Sequence, residues 1–401
     1  MADVPVHMRR TAFDPTDELA RRRAAAPVSR VTATMGQVRF PTWLVTRYDD
    51  VRAVLSDAVS FSNANEAVRA HVAAALGEET AARVELGGPS LLSYDPPRHT
   101  WLRRLVAPTF TVKRMYRLRH RVEAIVAEHL DAMEVKGGPI DLVEAFALPV
   151  PSLVICELLG VPYDDRAGFQ RRGEAQLDLE LDFAERRAVE EESRAYMAEL
   201  VRRNRAHPGD NLLGTLVRDH GDELPDEELV SLGILLLVGG HETTANMLAL
   251  GTLLLLRHPN QLALLRDDPG IADRAVEELM RYLSIVHTGI IRTAVKDVTI
   301  GGMVIKAGDA VAVSLPSANR DEAITDDPDV LDLTREPTSH VAFGHGNHHC
   351  LGAPLARLEM RVAFPALLRR FPGLRLAVPF EEIEFRSLSV VYGLQSLPVT
   401  W

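Results

Sequence analysis

Residues 343–352 read Phe-Gly-His-Gly-Asn-His-His-Cys-Leu-Gly, and they place one cysteine, Cys350, between a glycine-punctuated loop and a predicted helix start. The glycines allow tight or left-handed backbone and the close approach of a flat ligand. Pro354 suits the first turn of the helix that follows, and amide groups at that helix start, aimed at the sulfur, would favour its charged form. The stretch therefore predicts a thiolate presented to a metal.

Two other interpretations of this loop have to be weighed. A structural buried cysteine would explain neither the glycines nor the phenylalanine. A zinc or copper site could use His345, His348, His349 and Cys350, which are competent ligands. However, adjacent histidines point in different directions, and the stretch lacks the second ligand pair at regular spacing that a structural zinc site normally has. The residues favour the thiolate interpretation over both.

The loop resembles the haem-binding loop of the cytochrome P450 family at Phe343, at the glycines, at the basic residue two before the cysteine, at Cys350 and at the closing Gly352. The resemblance covers nearly the whole chain and is greatest with the soluble actinobacterial members that tailor polyketides, terpenoids, macrolides or xenobiotics. It implies that Cys350 is the axial thiolate ligand of the iron in haem b, iron protoporphyrin IX. It also implies that Phe343 shields the sulfur and that His348 bonds a haem propionate.

Helical periodicity dominates the chain, with few and short strand-like segments. The predicted helices are residues 16–26, 48–56, 99–106, 112–134, 142–159, 185–204, 226–257, 271–283 and 354–371. The predicted strands are residues 38–46, 298–300, 303–305, 311–315 and the tail 388–399, with a hairpin turn at Gly301-Gly302. We expect a mainly α fold with a small β subdomain, as the P450 resemblance also implies, in which a long central helix crosses the haem. We expect one domain over residues 1–401, β-rich near 38–46, 286–315 and 380–401.

Composition narrows the class of protein. The 401 residues carry a formal net charge of −11, which argues against a general binder of nucleic acid or of anionic membranes. Cys156 and Cys350 are the two cysteines of the sequence, so a disulfide framework is excluded and a reducing cytosol fits. Residues 1–30 lack an apolar signal or anchor segment. We expect a cytoplasmic, monomeric protein.

The predicted helix 226–257 is apolar except for the centre Gly-Gly-His-Glu-Thr-Thr at residues 239–244. Its glycines and hydroxyls weaken the hydrogen-bond ladder and permit a local bulge or kink. One interpretation is a buried core helix with a hydrogen-bonded polar centre. The resemblance implies instead that small residues such as Gly239 leave room for dioxygen above the iron. On that interpretation Glu242 and Thr243, with water, relay protons for O–O cleavage.

A charged network is expected near the cysteine loop. Glu278 and Arg281 are three residues apart and share a helix face. The resemblance implies that they form a buried network with Arg320, which serves folding and haem retention because losing one member would strand a buried charge.

The resemblance also implies cationic partners for the haem propionates. His99 and Arg103 are four residues apart on one predicted helix face, and Arg292 lies in a strand-like segment. All three fall where the family places its propionate contacts, together with His348.

Electrons must come from another protein, because the chain lacks a dinucleotide or flavin fingerprint. We expect a ferredoxin, with its ferredoxin reductase, to dock by charge complementarity. The candidate basic patch consists of Arg103, Arg104, Lys113, Arg114, Arg357 and Arg361. A peroxide-driven peroxygenase and a haem-binding protein without turnover are the alternatives, and the presence of both Glu242 and Thr243 disfavours them.

The substrate pocket is predicted from helical spacing around Thr243 and from family placement. Most of its residues are apolar, so the substrate should be a mainly apolar small molecule that receives one oxygen atom in a C–H or C=C bond. The predicted pocket residues are Leu91, Leu92, Leu177, Leu232, Leu235, Leu236, Gly239, Met247, Thr288, Val390 and Val391.

Overall fold

Helices form most of the molecule in the computed structural model, which describes residues 4–35, 38–77, 90–162 and 165–401. The helices within these ranges are α1 (Asp17–Ala25), α2 (Tyr48–Ser56), α3 (Glu66–Leu76), α4 (Arg98–Val106), α5 (Val112–Tyr116), α6 (Arg119–Lys136), α7 (Pro149–Leu159), α8 (Arg166–Leu177), α9 (Phe183–Ala206), α10 (Leu212–His220), α11 (Asp226–Arg257), α12 (Pro259–Asp267), α13 (Ala272–Leu283), α14 (Leu315–Ala318) and α15 (Ala353–Arg370).

The strands are short and form small sheets. They are β1 (Arg10–Thr11), β2 (Asp14–Pro15), β3 (Val28–Met35), β4 (Val38–Val45), β5 (Phe61–Ser62), β6 (Ile140–Asp141), β7 (Ile290–Ala294), β8 (Val298–Ile300), β9 (Met303–Ile305), β10 (Ala310–Val313), β11 (Arg375–Leu376), β12 (Phe385–Arg386), β13 (Gly393–Leu394) and β14 (Pro398–Thr400). The main sheet has the order β3-β4-β10-β7-β5, and β11-β14-β6 form a three-stranded sheet. The predicted fold class, mainly α with a small β portion, is confirmed.

The long helix α11 organises the core. Three acidic residues follow Pro225 in its first turn, where negative charge complements the helix dipole. Its 32 residues span roughly 48 Å at about 1.5 Å per residue. The helix packs against α7, α9, α15 and β13. Two of its glycines permit this close packing, because a Cβ at Gly240 would lie 2.8 Å from the side chain of Ile155, and one at Gly251 would lie 2.5 Å from Phe364.

Most predicted elements agree with the structure, and three need correction. The segment 112–134 is two helices, α5 and α6, that are separated at Arg117 and Leu118. The segment 142–159 begins with the π-helical turn Val143–Ala147, and α7 begins only at Pro149, because proline favours a first helical turn and breaks a helix interior. The predicted tail strand is only the short β13 and β14. The periodicity analysis missed α3, α8, α10, α12 and β3.

The buried charge network exists with a different third member. Arg281 donates two hydrogen bonds of 2.8 Å to the Glu278 carboxylate, and both side chains are buried. The remaining donors of Arg281 bind the carbonyl oxygens of Asn319 and Pro328 at 2.9 and 2.6 Å. The second cation on Glu278 is Arg335, at 3.3 Å.

Arg320 was predicted to complete this network, and the structure corrects that expectation. Its guanidinium pairs with Asp14 and Asp329 at 2.9 and 2.8 Å and lies 3.6 Å from the ring centroid of Tyr282. Arg320 therefore pairs with carboxylates other than Glu278, and it ties the N-terminal segment to α13.

Candidate functional site

The cysteine loop is fixed by its own backbone. The Cys350 amide donates to the Phe343 carbonyl at 2.8 Å, which closes the loop directly before α15. Gly344 and Gly346 have φ values of 73° and 71°, a left-handed conformation that favours glycine. At Gly346 there is also no room for a side chain, because a Cβ would lie 2.5 Å from the Leu55 carbonyl oxygen. Gly344 and Gly346 are therefore required by the geometry of the loop.

Cys350 is an exposed residue, but protein atoms pack closely around its sulfur. This packing raises the pKa of the thiol. The amide groups of Gly352 and Ala353 and the positive charges of Arg103 and Arg357 act in the opposite direction. The two amides stand at the start of α15, where the sequence predicts donors aimed at the sulfur. Each of these groups would stabilise a thiolate bound to a cation.

Four cationic or imidazole side chains meet near the loop. The rings of His99 and His348 lie 4.0 Å apart between centroids. Among the described residues, neither ring nitrogen of His99 has a hydrogen-bond partner, nor has Nε2 of His348. Arg292 is buried and donates to the Ile291 carbonyl oxygen. Arg103, the fourth member, donates to the His349 carbonyl oxygen at 2.6 Å.

These groups repel one another. Burial, and then the charges of His99, Arg292 and Arg103, lower the pKa of His348 to about 3. Burial lowers the pKa of Arg292 to about 10. Asp95 is the carboxylate that acts on them, but it already accepts hydrogen bonds from Ser62 and Asn63. The unpaired nitrogens and the surplus of positive charge fit a group with two carboxylates, as a haem has in its propionates.

The centre of α11 is a regular helix, without the bulge that its glycines would permit. The Thr243 hydroxyl donates to the Gly239 carbonyl at 2.7 Å, a back-bond that is common for hydroxyls in helices. A Cβ at Gly239 would meet nothing within 4 Å. The face that carries Gly239 and the half-buried Thr243 therefore has open space beside it.

Glu242 is buried and held by partners that the sequence analysis missed. Its carboxylate lies 3.2 Å from Arg386 and 3.3 Å from Nε2 of His241. Arg386, on β12, also binds Glu174 of α8 at 2.8 Å. Burial alone would raise the pKa of Glu242, but hydrogen bonding to His241 and the charges of His241 and Arg386 hold it below its ordinary value. The carboxylate is therefore ionised and fixed in position.

A second ionic cluster lies against the cysteine loop. Arg357, on α15, donates to both carboxylate oxygens of Glu277 at 2.7 and 2.8 Å. Its guanidinium carbon lies 4.4 Å from the ring centroid of Phe343. His340 contacts the same carboxylate at 3.1 Å. Burial would raise the pKa of Glu277, but the bonds from Arg357 and His340 lower it to about 2.

The predicted basic patch is smaller than the sequence indicates. Arg357 is paired with Glu277, and Arg361 lies 3.0 Å from Asp273, so both positive charges are largely neutralised. The patch that stays exposed consists of Arg104, Lys113, Arg114 and Arg117, together with the apolar Val112 and Tyr116. We call these six residues the α5 surface. In the described part of the chain, no carboxylate forms an ion pair with its basic members.

The predicted pocket residues divide by burial. Four of them are half-buried, namely Leu177, Leu235, Thr288 and Val390. Gly239 is exposed. Leu92 is 59% exposed. The remaining pocket residues lie buried in the main hydrophobic core: Leu91, Leu232, Leu236, Met247 and Val391.

The described residues do not form a metal site of another kind. Within the described ranges, no three His, Cys, Asp or Glu side chains are arranged to hold a metal ion, so the zinc or copper interpretation gains no cluster. In those same ranges no helix is both long and apolar enough to cross a membrane.

Comparisons with known proteins agree with the loop resemblance. A family model described as cytochrome P450 matches residues 270–384. Cytochrome P450 FAS1 of Rhodococcoides fascians is 46% identical over 401 residues, which cover 100% of this chain and 99% of the relative. Nocardicin C N-oxygenase of Nocardia uniformis subsp. tsuyamanensis is 45% identical over 399 residues, which cover 97% of this chain and 96% of the relative. The solved structure of CYP105P1 in complex with filipin I is similar with a TM-score of 0.89 and 43% identity, over 100% of this chain and 99% of the other.

The Glu277 cluster should make stability depend on pH. The folded-state pKa of Glu277 is about 2 against an ordinary 4.5, so its stabilisation is complete above pH 4.5 and is lost as pH falls toward 2. We expect Glu277→Gln to lower the free energy of unfolding at pH 7 by on the order of 3 kcal/mol. In urea titrations the difference from wild type should shrink as the pH is lowered from 5 to 3. Glu381→Gln, at an exposed glutamate, is the control, and a difference that stays constant over this range would contradict the assignment.

Proposed function

Since the chain belongs to the cytochrome P450 family and is a P450 monooxygenase, we propose that it inserts one oxygen atom of O2 into a C–H or C=C bond of a mainly apolar small molecule. The observation that carries the proposal is the set of donors around Cys350. Cys350 is an exposed residue with amides at its sulfur, and it adjoins a cluster of cationic and imidazole groups in which three imidazole nitrogens lack a hydrogen-bond partner among the described residues. One ligand with a metal centre and two carboxylates satisfies both halves.

The residues would hold haem b as follows. Cys350 would supply the thiolate ligand, Phe343 would cover the sulfur, and the Gly352 amide would face it. The propionates would be bound by His99, Arg103, Arg292 and His348. When bound, a thiolate-ligated haem supplies the activation of dioxygen, which no side chain can perform.

The chain itself contributes proton delivery. The Thr243 hydroxyl lies beside the open space at Gly239 and can turn from the Gly239 carbonyl to donate a hydrogen bond into it. Glu242 is ionised one residue earlier, is held in place by Arg386 at 3.2 Å, and can take up a proton from water and pass it on. We assign these two residues to a proton relay.

We further propose a monomeric, cytoplasmic, single-domain protein that receives electrons from a ferredoxin at the α5 surface. An acidic ferredoxin would find there a local positive patch on a chain with a net charge of −11, and charge complementarity raises association rates. Relatives such as nocardicin C N-oxygenase and the filipin-bound CYP105P1 support a secondary metabolite or a xenobiotic as substrate.

The absorption spectrum tests the ligand assignment. We expect the reduced, carbon monoxide-treated protein to show the strongly red-shifted Soret band of thiolate ligation, because Cys350 presents its sulfur to the cofactor. Cys350→Ala should lose this band, and the control Cys156→Ala, at a cysteine buried in α7, should keep it. A wild-type band typical of histidine ligation, or no haem band, would refute the proposal.

Substitution of Thr243 tests the proton relay. With a compound that shifts the resting iron from low to high spin, Thr243→Ala should keep the haem but yield at least about tenfold less product per NADPH, because general acid–base groups contribute at least that much. The lost reducing equivalents should appear as hydrogen peroxide. Thr252→Ala is a matched control, since Thr252 makes the same 2.7 Å back-bond, to Leu248, on the same helix. Unchanged coupling in the Thr243 variant would remove it from the relay.

Charge reversal at the α5 surface tests the docking site. Lys113→Glu with Arg114→Glu should slow ferredoxin-driven turnover by roughly three- to tenfold at low salt, because rim charges mainly set the association rate. Peroxide-driven turnover should be unaffected. Arg375→Glu, at an exposed arginine on β11, serves as the control. Equal losses in both assays would mean that the surface acts on folding and not on docking.

A further inference from the structure

Arg357 is turned toward the cysteine loop, not toward solvent. Its guanidinium carbon lies 4.4 Å from the ring centroid of Phe343, a distance at which a cation is attracted to an aromatic face. Its positive charge also acts on Cys350 and on His349. Arg357 therefore places a guanidinium, whose charge is partly cancelled by Glu277, beside the aromatic ring and the thiol of the same loop.

Glu277 fixes the position of the Arg357 guanidinium. The carboxylate accepts two hydrogen bonds from Arg357, at 2.7 and 2.8 Å, in the bidentate geometry that orients a guanidinium most strictly. The carboxylate itself is oriented by His340. Nδ1 of His340 accepts from the Ala342 amide, so the proton of the neutral ring is on Nε2, which donates to Glu277 at 3.1 Å.

The same contacts fix the start of the loop. His340 is held by Glu277, and the Val341 amide donates to the Asn319 side chain at 2.7 Å. Phe343 then lies under Arg357, and its carbonyl accepts from the Cys350 amide. One continuous set of contacts thus links Arg357, Glu277 and the loop.

We propose that Arg357, held by Glu277, is a positioning residue that sets the reduction potential of the haem through its charge at the Phe343 and Cys350 loop. The proposal rests on the proposed function, in which Cys350 ligates the iron. A positive charge near the thiolate stabilises the more electron-rich ferrous state, and second-sphere charges are among the means by which proteins tune such centres. Glu277 partly cancels this charge while it fixes its position.

The signs of two substitutions follow from this arrangement. Arg357→Gln removes the cation and leaves Glu277 unpaired, so the reduction potential should fall. Glu277→Gln removes the anion and leaves the cation, so the potential should rise. For a unit charge at this range we expect roughly a tenfold change in the equilibrium constant of reduction, which is about 59 mV for one electron. A general loosening of the loop would shift both variants in the same direction.

Spectroelectrochemical titration of the purified holoenzyme, without substrate, measures both potentials directly. Arg369→Gln is the control on the same helix, because Arg369 of α15 is exposed and donates to the Pro365 carbonyl oxygen, whereas Arg361 also lies 3.7 Å from Glu277. The equilibrium constant of reduction of this variant should stay within twofold of the wild-type value. If Arg357→Gln fails to retain haem, Arg357→Lys replaces it, and we expect a smaller fall because an ammonium grips a carboxylate less well than the planar fork.

The outcomes separate this proposal from the proposed function. Opposite shifts for the Arg357 and Glu277 variants, with no shift for Arg369→Gln, support the positioning role. Shifts of equal sign, wild-type potentials, or an equal shift in the control would overturn it while the red-shifted carbon monoxide band of wild type remains. Absence of that band in wild type would refute the ligand assignment itself.

Discussion

The buried ion pair between Glu278 and Arg281 fixes the backbone from which the cysteine loop starts. Arg281 binds the Asn319 carbonyl, and the Asn319 side chain accepts from the Val341 amide. Two residues later Phe343 accepts from the Cys350 amide. Removing one partner of such a pair leaves an uncompensated buried charge at a cost of about 3 to 5 kcal/mol. Because the pair grips backbone and not the thiol itself, it determines where the loop lies regardless of what the loop binds.

Features that depend on neighbouring residues could be predicted from the sequence. The limits of α11 agree because Pro225, an acidic first turn and a long apolar run all lie within the helix or directly before it. The Gly301-Gly302 hairpin and the glycine loop at Cys350 agree for the same reason. Partners that are distant in sequence could not be predicted. Spacing cannot tell whether Arg320 or Arg335 reaches Glu278, since only the folded path of residues 319–335 decides it.

The buried charge of Glu242 is a second case in which a partner distant in sequence could not be predicted. The sequence indicated that an acidic residue within an apolar helix needs a reason, but its partner Arg386 is 144 residues away. That arginine also binds Glu174 of α8. The segment after α8 continues the contact, because the Leu179 amide donates to the Leu388 carbonyl and the Val390 amide to the Leu177 carbonyl. The C-terminal tail thus ties α8 and its following segment to the polar centre of α11.

The cluster of His99, Arg103, Arg292 and His348 differs from these ion pairs, because its positive charge is not balanced by carboxylates. Glu278 and Glu242 are each paired with an arginine, whereas in the described part of the chain these four groups have only Asp95 nearby, which is already hydrogen-bonded. Burying unpaired polar groups and like charges destabilises a fold by several kcal/mol. An anion that binds the cluster removes this destabilisation, and a ligand that binds only the folded state stabilises it by mass action. Retention of the proposed haem and stability of the fold are therefore linked in one equilibrium. The thiol loop and the cationic cluster would bind different groups of the same ligand.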